Sequence, residues 1–426
     1  EKEIYSPYDF MGNRLGEGAR RLVTGLFALG SILGQSVRVL VTAIILQVVT
    51  GMDVPLCIVI IGAVAILWTF MGGMQTVIWT DVIQFCLFIF GGVLALSLLV
   101  GELGWSQIVE LNQVTIDGSD KDKLTWLDFT SPFQDPALRY TMWVALIAMP
   151  FQNFTAFGID QLNTQRMFCC GNVKDARKAM CWSSISIIVT VLMLAVGAGL
   201  FAWYRVYEPS GLIATSFEKS NNVFPTWITM EVAPGLSGLI LAGAFAAAIS
   251  SLDSILAALS QASLSVFYGR DKLEAAGKGR EMVRLSRIVV CVWGVILTAA
   301  GLGLWVVYKK NPDSDLIGLA FGMVAYTYGP LLGVLAAAIL PLRVSTKGLI
   351  LGTIISVLLV SWFRPELPLL LDSIGLAAWA QQVIVLRPEL TSEWFFPLNA
   401  SMTLLCGWLG GLLGSSEELF SVDKQR

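Results

Sequence analysis

The sequence predicts an all-α polytopic membrane protein, and three observations carry that expectation. Of 426 residues, 55% are hydrophobic and 14% charged, where a soluble domain carries about 25% charged residues. Mean hydropathy is +0.71. Ten apolar segments approach or exceed the roughly 20 residues that a helix needs to cross a bilayer. They run over 21–50, 54–71, 76–101, 140–165, 178–205, 235–267, 284–308, 315–341, 347–363 and 395–414. Longer connections at 102–139, 206–234 and 364–394 leave no room for a soluble domain. Residues 1–426 therefore read as one transmembrane domain in contact with a lipid bilayer.

Composition also excludes several classes of function. The chain has no histidine, which removes the commonest general base, a common zinc ligand and the usual pH switch. No nucleophile–base pair or metal cluster stands at a recognisable spacing, so an enzyme is disfavoured. A net charge of −3 gives a nucleic-acid partner no support, and no obligatory protein partner is inferred. The seven cysteines form no CxxC pair and read as small buried hydrophobes. Glu1 is not methionine and no signal-like region precedes the first segment, as expected of a truncated or processed chain.

The basic residues set an orientation. Arg14, Arg20 and Arg21 precede the first segment, Arg166, Lys174, Arg177 and Lys178 follow the fourth, and Arg270, Lys272, Lys278, Arg280, Arg284 and Arg287 follow the sixth. Arg343 and Lys347 follow the eighth, and Lys424 and Arg426 the tenth. These alternate loops share one side, expected to be cytoplasmic, with both ends of the chain there. The opposite side is sparser: Lys121, Lys123, Arg139, Lys219, Lys309, Lys310, Arg364 and Arg387.

Taken in order, the segments carry few polar groups, and each raises a question. Arg38 sits in the middle of the first, where a charge costs at least about 2.5–3.5 kcal/mol. It either pairs with an internal carboxylate such as Asp81 or Asp160, or anchors a solute carboxylate through its planar fork. Asp81, early in the third, either caps its helix near the surface or joins a cation site. The fourth contains MPFQNFTAFG, in which Pro150 and Gly158 bracket Gln152, Asn153 and Thr155. Such an interruption marks either a packing kink or a transporter binding site with unwound backbone.

The sixth segment is the most informative. Ala247, Ser250, Ser251 and Ser254 fall at offsets 0, 3, 4 and 7 of an otherwise apolar helix, and so on one face. Asp253 stands at the edge of that stripe. Hydroxyl, carbonyl and carboxylate oxygens are hard donors of the kind small cations prefer, which makes sodium the expected ion and coupled transport the expected role. In the eighth, Tyr326 and Tyr328 precede Gly329-Pro330 and either gate a cavity or pack.

Four stretches together resemble the sodium/solute symporter family, whose members have the LeuT-type inverted-repeat fold. Gly72-Gly73-Met74 through Thr80-Asp81-Val82-Ile83-Gln84 looks like the family's GG…TDxxQ signature. Gly158-Ile159-Asp160-Gln161 through Gln165-Arg166 is similar to its G-x-[ND]-Q-x-x-x-Q-R stretch. Ala246 to Ser254 is similar to its AAxxSSxxS stretch, and Ser345-Thr346-Lys347-Gly348 resembles the loop before its eleventh core helix. Order and spacing agree over nearly the whole chain.

The resemblance implies roles by position. Ala247 (through its carbonyl), Ser250 and Ser251 match the sodium site shared across the fold. Asp81, Ser250, Asp253 and Ser254 match the region where some members hold a second sodium. Asn153 matches a substrate-contacting asparagine in the broken sixth core helix. Arg38 lies in the third core helix, where members resembling sialic acid carriers place an arginine against the substrate carboxylate. Ala156 stands where sugar carriers have a gating tyrosine, and Ile187 and Phe321 where they have a lysine and a glutamine. The implied substrate is thus a small organic solute, a sialic acid or monocarboxylate ahead of a neutral sugar; a transporter-like sensor domain is the other alternative. The same alignment implies a plasma (cell inner) membrane protein whose first core helices are missing from this chain, so residues 1–426 alone are not expected to transport.

Overall fold

The computed structural model describes residues 6–71, 74–113, 124–125, 127–131, 138, 140–207, 221–268, 279–310, 316–364, 366–373, 375–386 and 390–413. Gly72 and Gly73 of the first motif lie outside them, as do Lys121, Lys123, Arg139, Lys219, Arg270, Lys272, Lys278, Arg387, Lys424 and Arg426.

The described residues contain nine helices long and apolar enough to cross a membrane, not ten. In chain order the helices are α1 (Pro7–Leu15), α2 (Glu17–Thr50), α3 (Val54–Met71), α4 (Met74–Leu103), α5 (Trp105–Asn112), α6 (Met149–Gly158), α7 (Gln161–Phe168), α8 (Val173–Ser183) and α9 (Ile187–Tyr207). They continue with α10 (Val223–Met230), α11 (Leu236–Tyr268), α12 (Gly279–Tyr308), α13 (Leu316–Ile339), α14 (Thr346–Phe363), α15 (Glu366–Ser373), α16 (Ala377–Leu386) and α17 (Phe395–Leu413). The expected connections thus hold short helices of their own, α5, α10, α15 and α16.

The tenth expected span is the broken one. Residues 140–165 form a π-helical turn (Val144–Ala148), then α6, then a break at Ile159–Asp160, then α7. Pro150 brings no N–H to the ladder, so the widened π turn immediately before it takes up the mismatch. The residues between Pro150 and Gly158 are helical, which corrects the expectation that Gln152, Asn153 and Thr155 lie on unwound backbone.

Asp160 makes the real break. Its backbone is extended, and its carboxylate caps α7 by accepting from the Leu162 amide at 2.9 Å. The amides of Ile159 and Asp160 both donate to the Thr155 carbonyl, and Asn163 Nδ2 donates to the Ala156 carbonyl at 2.7 Å. The ends freed by the break are therefore closed locally.

α11 and α13 are the central helices. α11 contributes Leu252 and Leu256 to a core shared with α2, α3 and α12, and Ile255 and Leu259 to a second core with α1, α2 and α13. Its Ile240 and Leu241 join a third core with α4, α5, α9 and α10. Exposed apolar side chains such as Leu67, Phe90, Val295 and Leu358 lie on the outer faces, where lipid replaces water. Among the cysteines only Cys57 is buried; Cys86, Cys169 and Cys181 are exposed, which corrects the expectation that all are buried hydrophobes.

Candidate cation and solute site

The stripe on α11 forms as its spacing requires. Ser250 and Ser251 donate their hydroxyls to the Ala247 carbonyl at 3.4 and 3.2 Å, which gathers three oxygens on one turn. Each hydroxyl spends its hydrogen inward on the helix and keeps its lone pairs for a cation.

One turn on, α11 meets α4 and α7. Arg166 Nη2 lies 2.6 Å from Asp81 Oδ2 and 2.9 Å from Ser254 Oγ, and that hydroxyl lies 3.5 Å from the same carboxylate oxygen. Asp81 is therefore neither a cap nor Arg38's partner: it sits on the second turn of α4 in an ion pair with α7. The charge pattern alone groups Arg166 with the loop cations; the Q-R end of its motif is the signal that sets it apart.

Asp253 is fully buried. Its Oδ1 accepts from the Ser254 amide at 2.6 Å, while Oδ2 is buried with no hydrogen-bond partner. Asp81 Oδ1 and Gln84 Oε1 are in the same condition. Buried polar atoms are nearly always partnered, so unpartnered acceptors along the α4–α11 seam call for a cationic or donor ligand.

Arg38 makes no ion pair among the described residues. It is exposed, and its one hydrogen-bond contact is with Gln35 Oε1 at 3.5 Å. Asp160, the other carboxylate considered for it, accepts the Tyr328 hydroxyl at 2.7 Å instead. Among the described residues Arg38 thus forms no ion pair with either carboxylate: Arg166 holds Asp81, and the Tyr328 hydroxyl donates to Asp160.

On α6, Asn153 is exposed and Gln152 half-buried. Thr155 is buried, its hydroxyl shared between the Phe151 carbonyl at 3.0 Å and the Tyr328 carbonyl at 3.1 Å. That contact ties the interrupted span to α13. Tyr326 is half-buried in the aromatic cluster around Phe395 and Phe396.

An apolar helical bundle with one interrupted span, a stripe of hard oxygens and an unpaired mid-span guanidinium has the make-up of an ion-coupled solute carrier. The chain belongs to the sodium:solute symporter family, whose profile matches residues 5–356. It is 26% identical to the sodium/sialic acid symporter SiaT of Proteus mirabilis over 84% of this chain and 69% of that protein. It is 25% identical to the sodium-coupled monocarboxylate transporter 2 of Bos taurus over 92% of this chain and 64% of that one. The chain thus spans about two thirds of the length of these relatives. A solved substrate-bound outward-open state of a Na+-coupled sialic acid symporter superposes with a TM-score of 0.70 at 21% identity. That match covers 97% of this chain and 78% of the other, and establishes the shared helical fold.

Proposed function

We propose that the complete protein couples sodium entry to uptake of a small organic solute bearing a carboxylate, of the sialic acid or monocarboxylate class, by alternating access. The protein sits in the plasma (cell inner) membrane with both ends of the chain cytoplasmic, as one transporter domain of LeuT-type inverted-repeat architecture. The observation that carries this reading is the stripe of oxygens on α11, with two unpartnered carboxylate oxygens, on Asp81 and Asp253, around its next turn.

Sodium, as co-substrate, is held by the Ala247 carbonyl with Ser250 and Ser251. Asp81, Asp253 and Ser254 form a second cation region, with Arg166 a tethered competitor for Asp81 and Ser254. Each sodium moved inward draws about 2.3 kcal/mol from every 100 mV of membrane potential. A cation that binds one conformation better shifts the population toward it by that difference in affinity and no more.

Arg38 is the solute anchor. A guanidinium with no ion pair among the described residues offers a bidentate match to a carboxylate. Gln152 and Asn153 of α6 and Tyr326 of α13 are the further candidate solute contacts. Thr155 donates its hydrogen to backbone carbonyls and offers the solute only a lone pair.

Thermal shift on the complete, purified protein tests the reading. Sialic acids or monocarboxylates are expected to stabilise it only when sodium is present, and Arg38→Gln to abolish that gain while leaving the sodium-only gain intact. Stabilisation by neutral sugars alone would demote Arg38, and no sodium effect with any solute would remove the symport reading.

A further inference from the structure

Three contacts fix how α4 and α11 lie against each other. Ser254 Oγ stands 3.5 Å from Asp81 Oδ2. A Cβ on Gly243 would stand 3.2 Å from Phe88 Cα and 2.9 Å from the Leu87 carbonyl oxygen, and one on Gly91 would stand 3.3 Å from Ile240 Cα. Advancing along α4 from Asp81 to Gly91 therefore retreats along α11 from Ser254 to Ile240, so the two helices are antiparallel in close register. On α11, Gly243, Ala247, Ser250 and Ser254 fall at offsets 0, 4, 7 and 11, which places the oxygen stripe on the face that meets α4.

Gln84 is the polar residue of α4 at the middle of this register. Gln84 and Phe88 follow Asp81 by three and seven residues, offsets that keep all three on one helical face. Midway between the Asp81–Ser254 and Phe88–Gly243 contacts, α11 presents the turn from Ala247 to Ser251. Gln84 is half-buried, and its Oε1 is buried with no hydrogen-bond partner. The fully buried Asp253 leaves Oδ2 in the same condition, and Asp81 leaves Oδ1. These three atoms are all acceptors, two of them on carboxylates, while Arg166 is already spent on Asp81 Oδ2 and Ser254 Oγ. What completes such a set is a cation.

We infer that the side-chain carbonyl of Gln84 is a further sodium ligand, standing between the Ala247, Ser250 and Ser251 oxygens and those of Asp81, Asp253 and Ser254. An amide oxygen is a hard, neutral donor of the kind small cations accept. It adds a ligand to the seam without adding charge, and joins the two cation regions into one row of oxygens. The inference rests on the symport reading above, and names a residue of α4 that the α11 stripe alone does not reveal.

Sodium-dependent thermal stabilisation of the complete, purified protein, measured without solute and at constant ionic strength, tests the assignment. Gln84→Met keeps the length and deletes the carbonyl, and the sodium concentration for half-maximal stabilisation is expected to rise about fivefold or more. Gln84→Glu keeps an oxygen at the same reach and adds a charge, so its midpoint is expected to equal or fall below that of the parent. A purely structural amide predicts another pattern: the methionine variant keeps the parent's midpoint, and the glutamate variant is less stable at every sodium concentration. A Gln84→Met curve that coincides with the parent's, or a Gln84→Glu curve displaced to higher sodium, overturns the assignment. Either variant decides by itself, so misfolding of one leaves the other as the test. A parent protein that sodium fails to stabilise would remove the symport reading and this ligand together; a parent that responds while Gln84→Met is unmoved would remove Gln84 alone.

Discussion

The clasp formed by α13, α14 and α17 and the cleft formed by α4, α7 and α11 are built on opposite principles. In the clasp, helices meet backbone to backbone through absent side chains. A Cβ on Gly329 would stand 3.0 Å from the Phe396 carbonyl oxygen, and one on Gly352 would stand 2.8 Å from Thr403 Cα. Close approach by small residues is how helices associate where lipid offers no hydrophobic drive. Polar groups there bridge elements: Arg364 Nη1 reaches the Ser392 hydroxyl at 2.6 Å and the Gly318 carbonyl at 3.4 Å, and Asn399 Nδ2 reaches the Ala325 carbonyl at 3.3 Å. In the cleft, the contacts are ionic and hydroxylic, and two carboxylate oxygens, Asp81 Oδ1 and Asp253 Oδ2, are left unpartnered, where the clasp leaves one amide oxygen, Asn399 Oδ1. The clasp is a frame and the cleft a set of open valences, so damage to each should read out differently.

Gly329→Leu should break the comparison most severely. The new side chain has no room against α17, and overpacking of this kind costs about 1–3 kcal/mol, occasionally more. The expected outcome is a lowered melting temperature and loss of monodisperse protein, with the sodium response of the surviving fraction unaltered. A melting temperature equal to that of the parent would show the clasp to be loose.

How much of this division is legible in sequence differs between the two regions. The α11 stripe is legible because small and hydroxyl residues at offsets 0, 3, 4 and 7 on a helix fix a face whatever the neighbours do. The identity of Asp81's partner is not, because Arg38 and Arg166 both lie far from it in sequence and only helix packing decides between them. Breaker chemistry puts the break at Pro150 and Gly158. It falls instead at Ile159–Asp160, where an aspartate followed by Gln161-Leu162-Asn163 is itself a helix-start signal. Pro150 is absorbed by a π turn, an adjustment that composition does not announce. The glycines of the clasp gave no sign of their role, since their partners lie on a helix more than forty residues away.

Ser251→Ala sharpens the contrast from the cleft side. It removes one candidate sodium ligand whose hydroxyl bonds within its own helix, so stability should change by no more than about 0.5 kcal/mol. The sodium concentration for half-maximal activation should rise about tenfold, which corresponds to about 1.4 kcal/mol of lost cation binding. A sodium curve that does not move would remove Ser251 from the site. Equal losses in stability and sodium response would make the stripe part of the frame.

Arg166→Gln is the smallest perturbation and the most diagnostic. The Arg166 side chain is 41% exposed and that of Asp81 18%, so the pair itself contributes only about 0–1 kcal/mol to stability. At the proposed second cation region it would act as a competitor: the guanidinium holds the Asp81 and Ser254 oxygens that a second cation would need. Glutamine keeps most of the length and can still donate to Ser254, but brings no charge. With Asp81 and Asp253 then facing each other across α4 and α11 without the cation, sodium should bind there more readily. Half-activation should fall by about two- to fivefold, and the curve should steepen if two ions act together. An unchanged curve would confine Arg166 to bracing α7 against α4 and remove it as a competitor for the second cation.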